Sequence, residues 1–336
     1  MKRKLIIHVG MGKTGSTSIQ RTLREGSHYL EEHGIKYLGL MLEQQPLSHA
    51  YAWHVDGGWP AFHGITDRDE ATQQMVGAFV ELDESLAPSI HTLIWSNESL
   101  FDSFSVVAAV LDIIATRFDI QVVGYIRSPD SWVLSAYMQW GIKHKSYVGA
   151  LKSFKEWTNG RPYLVMPMLN QWLQFDPGAA FYNFNSVSDV VRHFIDNHLP
   201  ESARGVPVKR SNDTPPPVAQ ALFASYNSLS AADVLPTELM PLIRAAGLHK
   251  TMQPMSEYNE LLPSEDDIAE YLSHNKNEVE AINRYFEATG QRGFDLLNPR
   301  YKDYSVTQQD VNRALLKLVV YLWREVNSLK ASRTDQ

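Results

Sequence analysis

Gly10-Met11-Gly12-Lys13-Thr14-Gly15-Ser16-Thr17 is the stretch whose reading decides the fold. It follows an apolar run, Leu5-Ile6-Ile7-His8-Val9, and leads into a segment with Ile19 and Leu23 at helical spacing. A strand, a glycine-rich turn and a helix N-terminus make an anion site. Backbone N–H groups without intrahelical partners converge there with the positive end of the helix dipole. Lys13 adds a mobile positive charge, and the Thr and Ser hydroxyls add donors. The loop suits a phosphate or a sulfate.

Working outward, four more apolar runs read as strands: Ile35–Leu40, Thr92–Trp95, Gln121–Ile126 and Ala179–Phe184. Amphipathic segments separate them. Val106, Val107, Val110, Leu111 and Ile114 share one helical face, as do Trp132, Val133, Ala136, Tyr137 and Trp140. Val187, Val190, Val191, Phe194 and Ile195 form another. Strands alternating with such helices predict an α/β fold, a parallel central sheet flanked by helices on both faces. Ligands of such sheets sit beyond the carboxyl ends of the strands. Past Pro200 the pattern changes. Gly205 to Pro217 is a polar loop ending in three prolines, and only helices are predicted after it, the clearest spaced at Val311, Leu315, Leu318, Leu322 and Val326. The expected organisation is an α/β core over 1–210 and a helical C-terminal extension over 211–336, packed on the core.

Bulk properties narrow the function classes. The chain has 336 residues, 44% of them hydrophobic and 21% charged, which suits a globular protein with a sizeable core. A net charge of −7 argues against general nucleic-acid binding, while leaving room for a local basic pocket. With no cysteine there is no disulfide, thiolate metal site or cysteine nucleophile. The apolar run after the basic start ends within a few residues, too short for a signal-peptide core or a membrane span. A cytoplasmic protein is expected.

Walker-type loops read G-x-x-x-x-G-K-[ST]. Gly12-Lys13-Thr14 fits the end of that pattern, but Ile7 stands where the opening glycine belongs. A magnesium carboxylate should also end a neighbouring strand. Instead Thr92–Trp95 runs into Ser96-Asn97-Glu98, and Gln121–Ile126 runs into Arg127.

Gly10 to Ser18 resembles the 5′-phosphosulfate loop of sulfotransferases that use 3′-phosphoadenosine 5′-phosphosulfate (PAPS). That family carries a second motif, an Arg at the tip of a later strand and a Ser eight residues on. Here Arg127 and Ser135 stand at that separation in Gly124-Tyr125-Ile126-Arg127-Ser128-Pro129-Asp130-Ser131-Trp132-Val133-Leu134-Ser135. Pro129 suits a helix start, which puts Ser135 about two turns into the helix. Trp157 to Phe175 resembles the aromatic helix that follows this motif in the family. Lys209-Arg210-Ser211-Asn212 stands where relatives carry an Arg-x-Asn loop over the nucleotide, and Asn283-Arg284 resembles a late family element. The resemblance spans most of the chain, with sharp motifs at the two phosphate sites alone.

The resemblance implies a P-loop NTPase-like three-layer sandwich, with PAPS as sulfuryl donor, the bisphosphate PAP as product, and no metal. It implies that backbone N–H groups of Thr14 to Thr17 bind the 5′-phosphate, with Gly12 and Gly15 shaping the loop and Ser16, Thr17 and Ser18 in support. It gives Lys13 the charge growing on the bridging oxygen, and Arg127, Ser135 and Arg210 the rest of the nucleotide. Sulfuryl transfer has a loose, in-line transition state, so positioning and charge stabilisation dominate. Three residues compete as general base. His49 follows the second strand and has a suitable ordinary pKa. Glu98 ends the third strand in a Ser-x-Glu arrangement, and Glu43 shares the loop of His49; His54 and His63 are nearby. Trp53, Trp59, Tyr137, Trp140, Trp157 and Trp172 are candidates to stack on sugar rings, against the commoner fate of core packing.

The acceptor expected is a small molecule or polysaccharide with a free hydroxyl or amine, a carbohydrate foremost. No nucleic acid or membrane span is expected, and homo-oligomerisation is open. Two alternatives stand beside this reading, a P-loop kinase using Mg-ATP and a non-catalytic nucleotide-binding module on the same fold.

Overall fold

The structure is a computed structural model that describes residues 2–209, 215–228, 233, 239–248, 256–296, 299 and 302–334. The chain divides into two compact units. The first comprises Met1–Ser128, Leu164–Ser211 and Asn277–Phe294, and the second Pro129–Tyr163, Asn212–Lys276 and Asp295–Gln336.

The first unit holds the sheet. Its strands are β1 (Lys4–His8), β2 (Ile35–Gly39), β3 (Thr92–Ser96), β4 (Asp119–Ile126) and β5 (Ala180–Asn183). They lie in the order β2-β3-β1-β4-β5, and every pairing is parallel. All five predicted strands are present, with ends shifted by a residue or two. The order reverses about β1: the chain goes out to β2, returns to β3 and then crosses to β4. Crevices for ligands open at such a point.

Leu5, Ile6, Ile7, Leu93, Ile94 and Trp95 are fully buried, as central strands covered on both faces must be. Side chains alternate between two layers. Ile6, Ile94, Val123 and Tyr125 face a cluster containing Ile19 and Leu23 of helix α1 (Ser16–Glu25), with Phe194 and Ile195 of helix Val190–His198. On the opposite face the Trp95 ring meets Phe79 of helix Arg68–Ser85 edge-on at 5.4 Å. Trp172 of helix Met166–Phe175 donates its indole N–H to the Phe101 carbonyl at 3.1 Å. The predicted α/β architecture, a parallel sheet between helical layers, is the one observed.

The second unit is helical. Helix Pro129–Ala136 continues into a π-helical turn, Tyr137–Lys143, so the expected face carrying Trp132 to Trp140 is split by a change of pitch. Tyr137 is buried, its hydroxyl shared between the carbonyls of Lys152 at 2.9 Å and Leu261 at 2.8 Å. The unit also contains Pro217–Ser228, Glu265–His274 and the C-terminal helix Gln308–Thr334.

One reading needs correction. Trp157 to Phe175 is not one aromatic helix: Phe154–Thr158 and Met166–Phe175 are separate. Gly160 takes a left-handed φ of 71° and Pro162 follows it, and a helix survives neither. Of the six aromatics, most follow the commoner fate of core packing. Trp53, Tyr137, Trp157 and Trp172 are buried, and only Trp59 and Trp140 are half-exposed. Among the described residues no helix is long and apolar enough to cross a membrane.

Candidate functional site

Central strand β1 delivers the loop to the carboxyl edge of the sheet. Val9 is still tied to β4, donating its N–H to Val123 at 2.8 Å. The chain then turns through two left-handed residues, Lys13 at φ 72° and Gly15 at φ 83°. Thr14 lies between them, fully buried, its hydroxyl donating to the Met11 carbonyl at 2.6 Å. That hydroxyl proton braces the loop, which leaves the Thr14 backbone N–H as its donor toward a ligand. A side chain at Gly10 would displace the Ser16 hydroxyl, since a Cβ there would fall 2.2 Å from Ser16 Oγ.

Gly15 is the N-cap of α1 and supplies no side-chain acceptor, and the first turn holds no acid. Helices Arg68–Ser85 and Val190–His198 begin instead on Asp67 and Asp189, whose carboxylates accept the first N–H groups. In α1 the N–H groups of Ser18 and Ile19 reach the Gly15 carbonyl at 3.0 and 3.2 Å. Those of Ser16 and Thr17 precede any intrahelical acceptor. Ser16 Oγ is buried and has no hydrogen-bond partner. Thr17 is exposed, and Gly12, Lys13 and Ser18 are half-buried. A turn built this way, with a cation beside it and a buried hydroxyl lacking an acceptor, fits an anion.

Gly15 is needed on two counts. Its φ is left-handed, and an added Cβ would lie 2.7 Å from Val190 Cγ1. Gly15→Ala is therefore expected to lower folding stability by about 2–3 kcal/mol in urea denaturation. A change within about 0.5 kcal/mol would count against this account of the turn.

Strand β4 pairs alongside β1 and runs on to Ile126, which carries Arg127 to the loop. Its Nη1 donates to the Lys13 carbonyl at 2.9 Å, and its guanidinium stands 5.7 Å from the centroid of the Phe184 ring. The side-chain carbonyl of Asn185 accepts the Ser128 N–H at 2.8 Å and fixes the strand exit. The first two predicted binding elements thus meet. Ser135 belongs to the second unit, where it is buried on the second turn of Pro129–Ala136. Arg210 lies outside the described residues, with Ser211 and Asn212. Its neighbour Lys209 is pinned beside α1: the Lys209 N–H donates to Thr22 Oγ1 at 2.9 Å, and that hydroxyl donates to the Lys209 carbonyl at 3.0 Å.

The three candidate bases have different surroundings. Glu98 is half-buried and accepts the Gln20 side-chain amide at 2.7 Å; the same amide lies 3.3 Å from the Ser96 carbonyl. Gln20 is on α1, one turn past Ser16, so the helix that begins the anion site also holds Glu98. Glu43 is occupied on both oxygens, by the Met41 N–H at 2.7 Å and by Arg24 at 3.3 Å. Arg24 also pairs with Asp56 at 3.1 Å. His49 is exposed, its ring 4.6 Å from that of Tyr51, and His54 is bound to the Leu42 carbonyl at 2.9 Å. Asn283 accepts the Phe294 N–H at 2.7 Å and closes a turn, while Arg284 is exposed.

Sequence reasoning missed Gln20, Phe184 and Tyr37. Tyr37 is buried on β2 with its hydroxyl unpartnered. Burial, followed by the charge of Glu43, pushes this phenol above its ordinary range. It also missed a histidine cluster at the root of the loop. His8 is fully buried, bonded through Nδ1 to Ser96 Oγ at 2.7 Å, while its Nε2 has no partner. His198 is buried with neither ring nitrogen bonded, its ring 5.6 Å from both Phe194 and Tyr182.

No protein-family model matches the chain, and no curated protein matches it in sequence. Among solved structures it is similar to retinol dehydratase in complex with retinol and PAP, at 11% identity and a TM-score of 0.25, over 90% of this chain and 84% of that one. It is also similar to retinol dehydratase with androsterone and the inactive cofactor PAP, at 11% identity and a TM-score of 0.24, over 78% and 70% of the two chains. Likeness of this degree assigns no function, and the functional reading rests on the residues of the site.

Proposed function

We propose that the chain is a sulfotransferase that moves a sulfuryl group from PAPS to a hydroxyl-bearing acceptor, a carbohydrate foremost. One observation carries the reading. The turn from Gly10 to Thr17 ends on an uncapped helix with a buried, unpartnered Ser16 hydroxyl, and Arg127 is bonded to the same turn. Its residues therefore fit an anion beside the Lys13 side chain, as the 5′-phosphosulfate end of PAPS requires, with Arg127 bracing the edge of the turn.

When bound, PAPS supplies the sulfuryl group and leaves as PAP. The N–H groups of Thr14 to Thr17 and the Ser16 hydroxyl hold its 5′-phosphate, and Lys13 neutralises charge growing on the bridging oxygen. Arg127, at the tip of β4, would hold the 3′-phosphate. Glu98 is the base we assign. It takes the proton of the acceptor hydroxyl as that oxygen bonds to sulfur, and Gln20 keeps it oriented. Glu43 is less suited, because its oxygens are already engaged by Arg24 and the Met41 N–H.

Titration with PAP and with ATP, each with and without magnesium, tests the donor. Metal-independent binding of PAP is expected, weakened about 30-fold or more in Arg127→Ala through loss of charge-assisted hydrogen bonds. Preference for Mg-ATP overturns the reading in favour of a kinase. PAP binding with no transfer of labelled sulfate to any of a panel of carbohydrate and phenolic acceptors reduces it to a binding module.

A further inference from the structure

Helix α1 carries three polar side chains in a row, Ser16, Gln20 and Arg24, spaced by four residues and so about 12 Å from end to end. Ser16 opens the anion turn, and Gln20 holds Glu98. Arg24 reaches Glu43 at 3.3 Å and Asp56 at 3.1 Å through its terminal nitrogens, while its Nε is buried without a hydrogen-bond partner. The Glu43 carboxylate lies against the tip of β2, where a Cβ on Gly39 would fall 2.3 Å from it.

Tyr37 comes to the same place from the sheet. Its ring packs in the layer between β2 and α1, with Ile19 and Leu23, and its buried hydroxyl bonds to nothing among the described residues. The charges that act on this hydroxyl are those of Glu43, Arg24, Asp56 and Glu98. Folded proteins rarely leave one buried donor without an acceptor, and here two, the Tyr37 hydroxyl and Arg24 Nε–H, belong to one cluster with Glu98. Exposure rises outward, from 1% for Tyr37 to 38% for the Arg24 side chain and 61% for that of Asp56. The Arg24–Asp56 pair is therefore the outer edge of the cluster, and a surface pair of this kind is cheap to open.

We propose that this cluster seats the acceptor, a neutral or amino sugar, with Tyr37 and Arg24 donating to its oxygens beside Glu98. Charge selects the class. Three carboxylates against one guanidinium leave the cluster negative, which repels a uronic acid or an already sulfated sugar and tolerates an amine. The same field favours departure of a product that has gained a negative charge, so each acceptor is modified once here. The roles of Glu98 and of the donor rest on the function proposed above; binding of the sugar does not.

NMR titration of the full chain, with and without PAP, reads that binding directly. The probes are glucose, galactose and mannose, each with its amino and uronic acid counterparts. At least one neutral or amino sugar is expected to bind, and its uronic counterpart at least about tenfold more weakly. Asp56→Asn, at an exposed position, should narrow that gap about threefold. Tyr37→Phe removes one hydroxyl and should weaken the sugar about fivefold while leaving PAP affinity unchanged. Its urea midpoint should hold or rise, because that hydroxyl makes no bond in the fold. A lowered midpoint with unchanged sugar affinity assigns the hydroxyl to the fold and overturns the proposal. So does a uronic acid that binds as well as its neutral counterpart, or PAP bound with none of the sugars. Sugar bound by a chain that ignores PAP upholds the seat and sinks the donor reading instead.

Discussion

Lys13→Ala is expected to lower sulfuryl transfer about a thousandfold while PAP binding falls by no more than about tenfold. The asymmetry follows from where the charge matters. In a loose transition state the bridging oxygen gains negative charge as its bond to sulfur lengthens, so a cation placed there is worth more at the transition state than in the ground state. The backbone donors of the turn, which on the proposed reading bind the phosphate in both states, remain in the variant. Stability should stay within about 0.5 kcal/mol, since alanine and lysine meet similar resistance to a left-handed backbone. Single-turnover transfer from labelled donor, with urea midpoints as the control, measures both quantities. Transfer close to the wild-type rate would remove Lys13 from the role proposed for it.

The second large effect is on stability in mild acid. Burial holds His8 down at about 3, with repulsion from His198 adding to it, and His198 at about 4, again chiefly through burial. Burial also lowers His193. An unfolded histidine titrates near 6.5, so below that pH the unfolded chain takes up protons that the folded chain refuses. Stability is therefore full above about 6.5 and declines as the pH falls. His8 and His198 should each contribute a loss of about 2 kcal/mol at pH 5, about 4 kcal/mol together. Urea midpoints at pH 7.5 and 5 read this largely apart from the carboxylates, which titrate lower. His198→Met should flatten the dependence by about half while filling the space between Phe194 and Tyr182. Equal wild-type midpoints at the two pH values would sink the prediction.

Much of the first unit was legible because its signals are local. Strands buried on both faces must be apolar runs, and β1, β3 and β4 announce themselves that way. The turn at Gly10 to Thr17 is legible because only glycine-rich sequence makes so tight a passage from strand to helix. Contacts between distant segments were not legible. Nothing in Arg127 or its neighbours specifies a bond to the Lys13 carbonyl, and nothing in Glu98 names Gln20 as its partner. Glu43 and Glu98 look alike as carboxylates after a strand; Arg24, far back in the chain, separates them by occupying one.

The aromatic residues show a different limit. Helical spacing of tryptophan is the same whether the ring packs inward or waits for a sugar, so Trp157 and Trp172 could not be assigned without their neighbours. The break after Thr158 was present in Asn159-Gly160-Arg161-Pro162 and outweighs the apolar periodicity on either side. In the C-terminal helix the pattern Val311, Leu315, Leu318, Leu322, Val326 merged two faces, since Val311 is buried while Leu315, Leu322 and Val326 are exposed.

The left-handed backbone at Lys13 has a consequence for anyone engineering this protein. A redesign that scores substitutions by backbone compatibility would place glycine there, because glycine escapes a conformational penalty of about 1 kcal/mol. Such a change would rank as benign or favourable on stability while deleting the cationic side chain of the turn. On the role proposed for Lys13, position 13 is one where the optima for robustness and for activity diverge, so a thermostability campaign on this scaffold would hold it fixed.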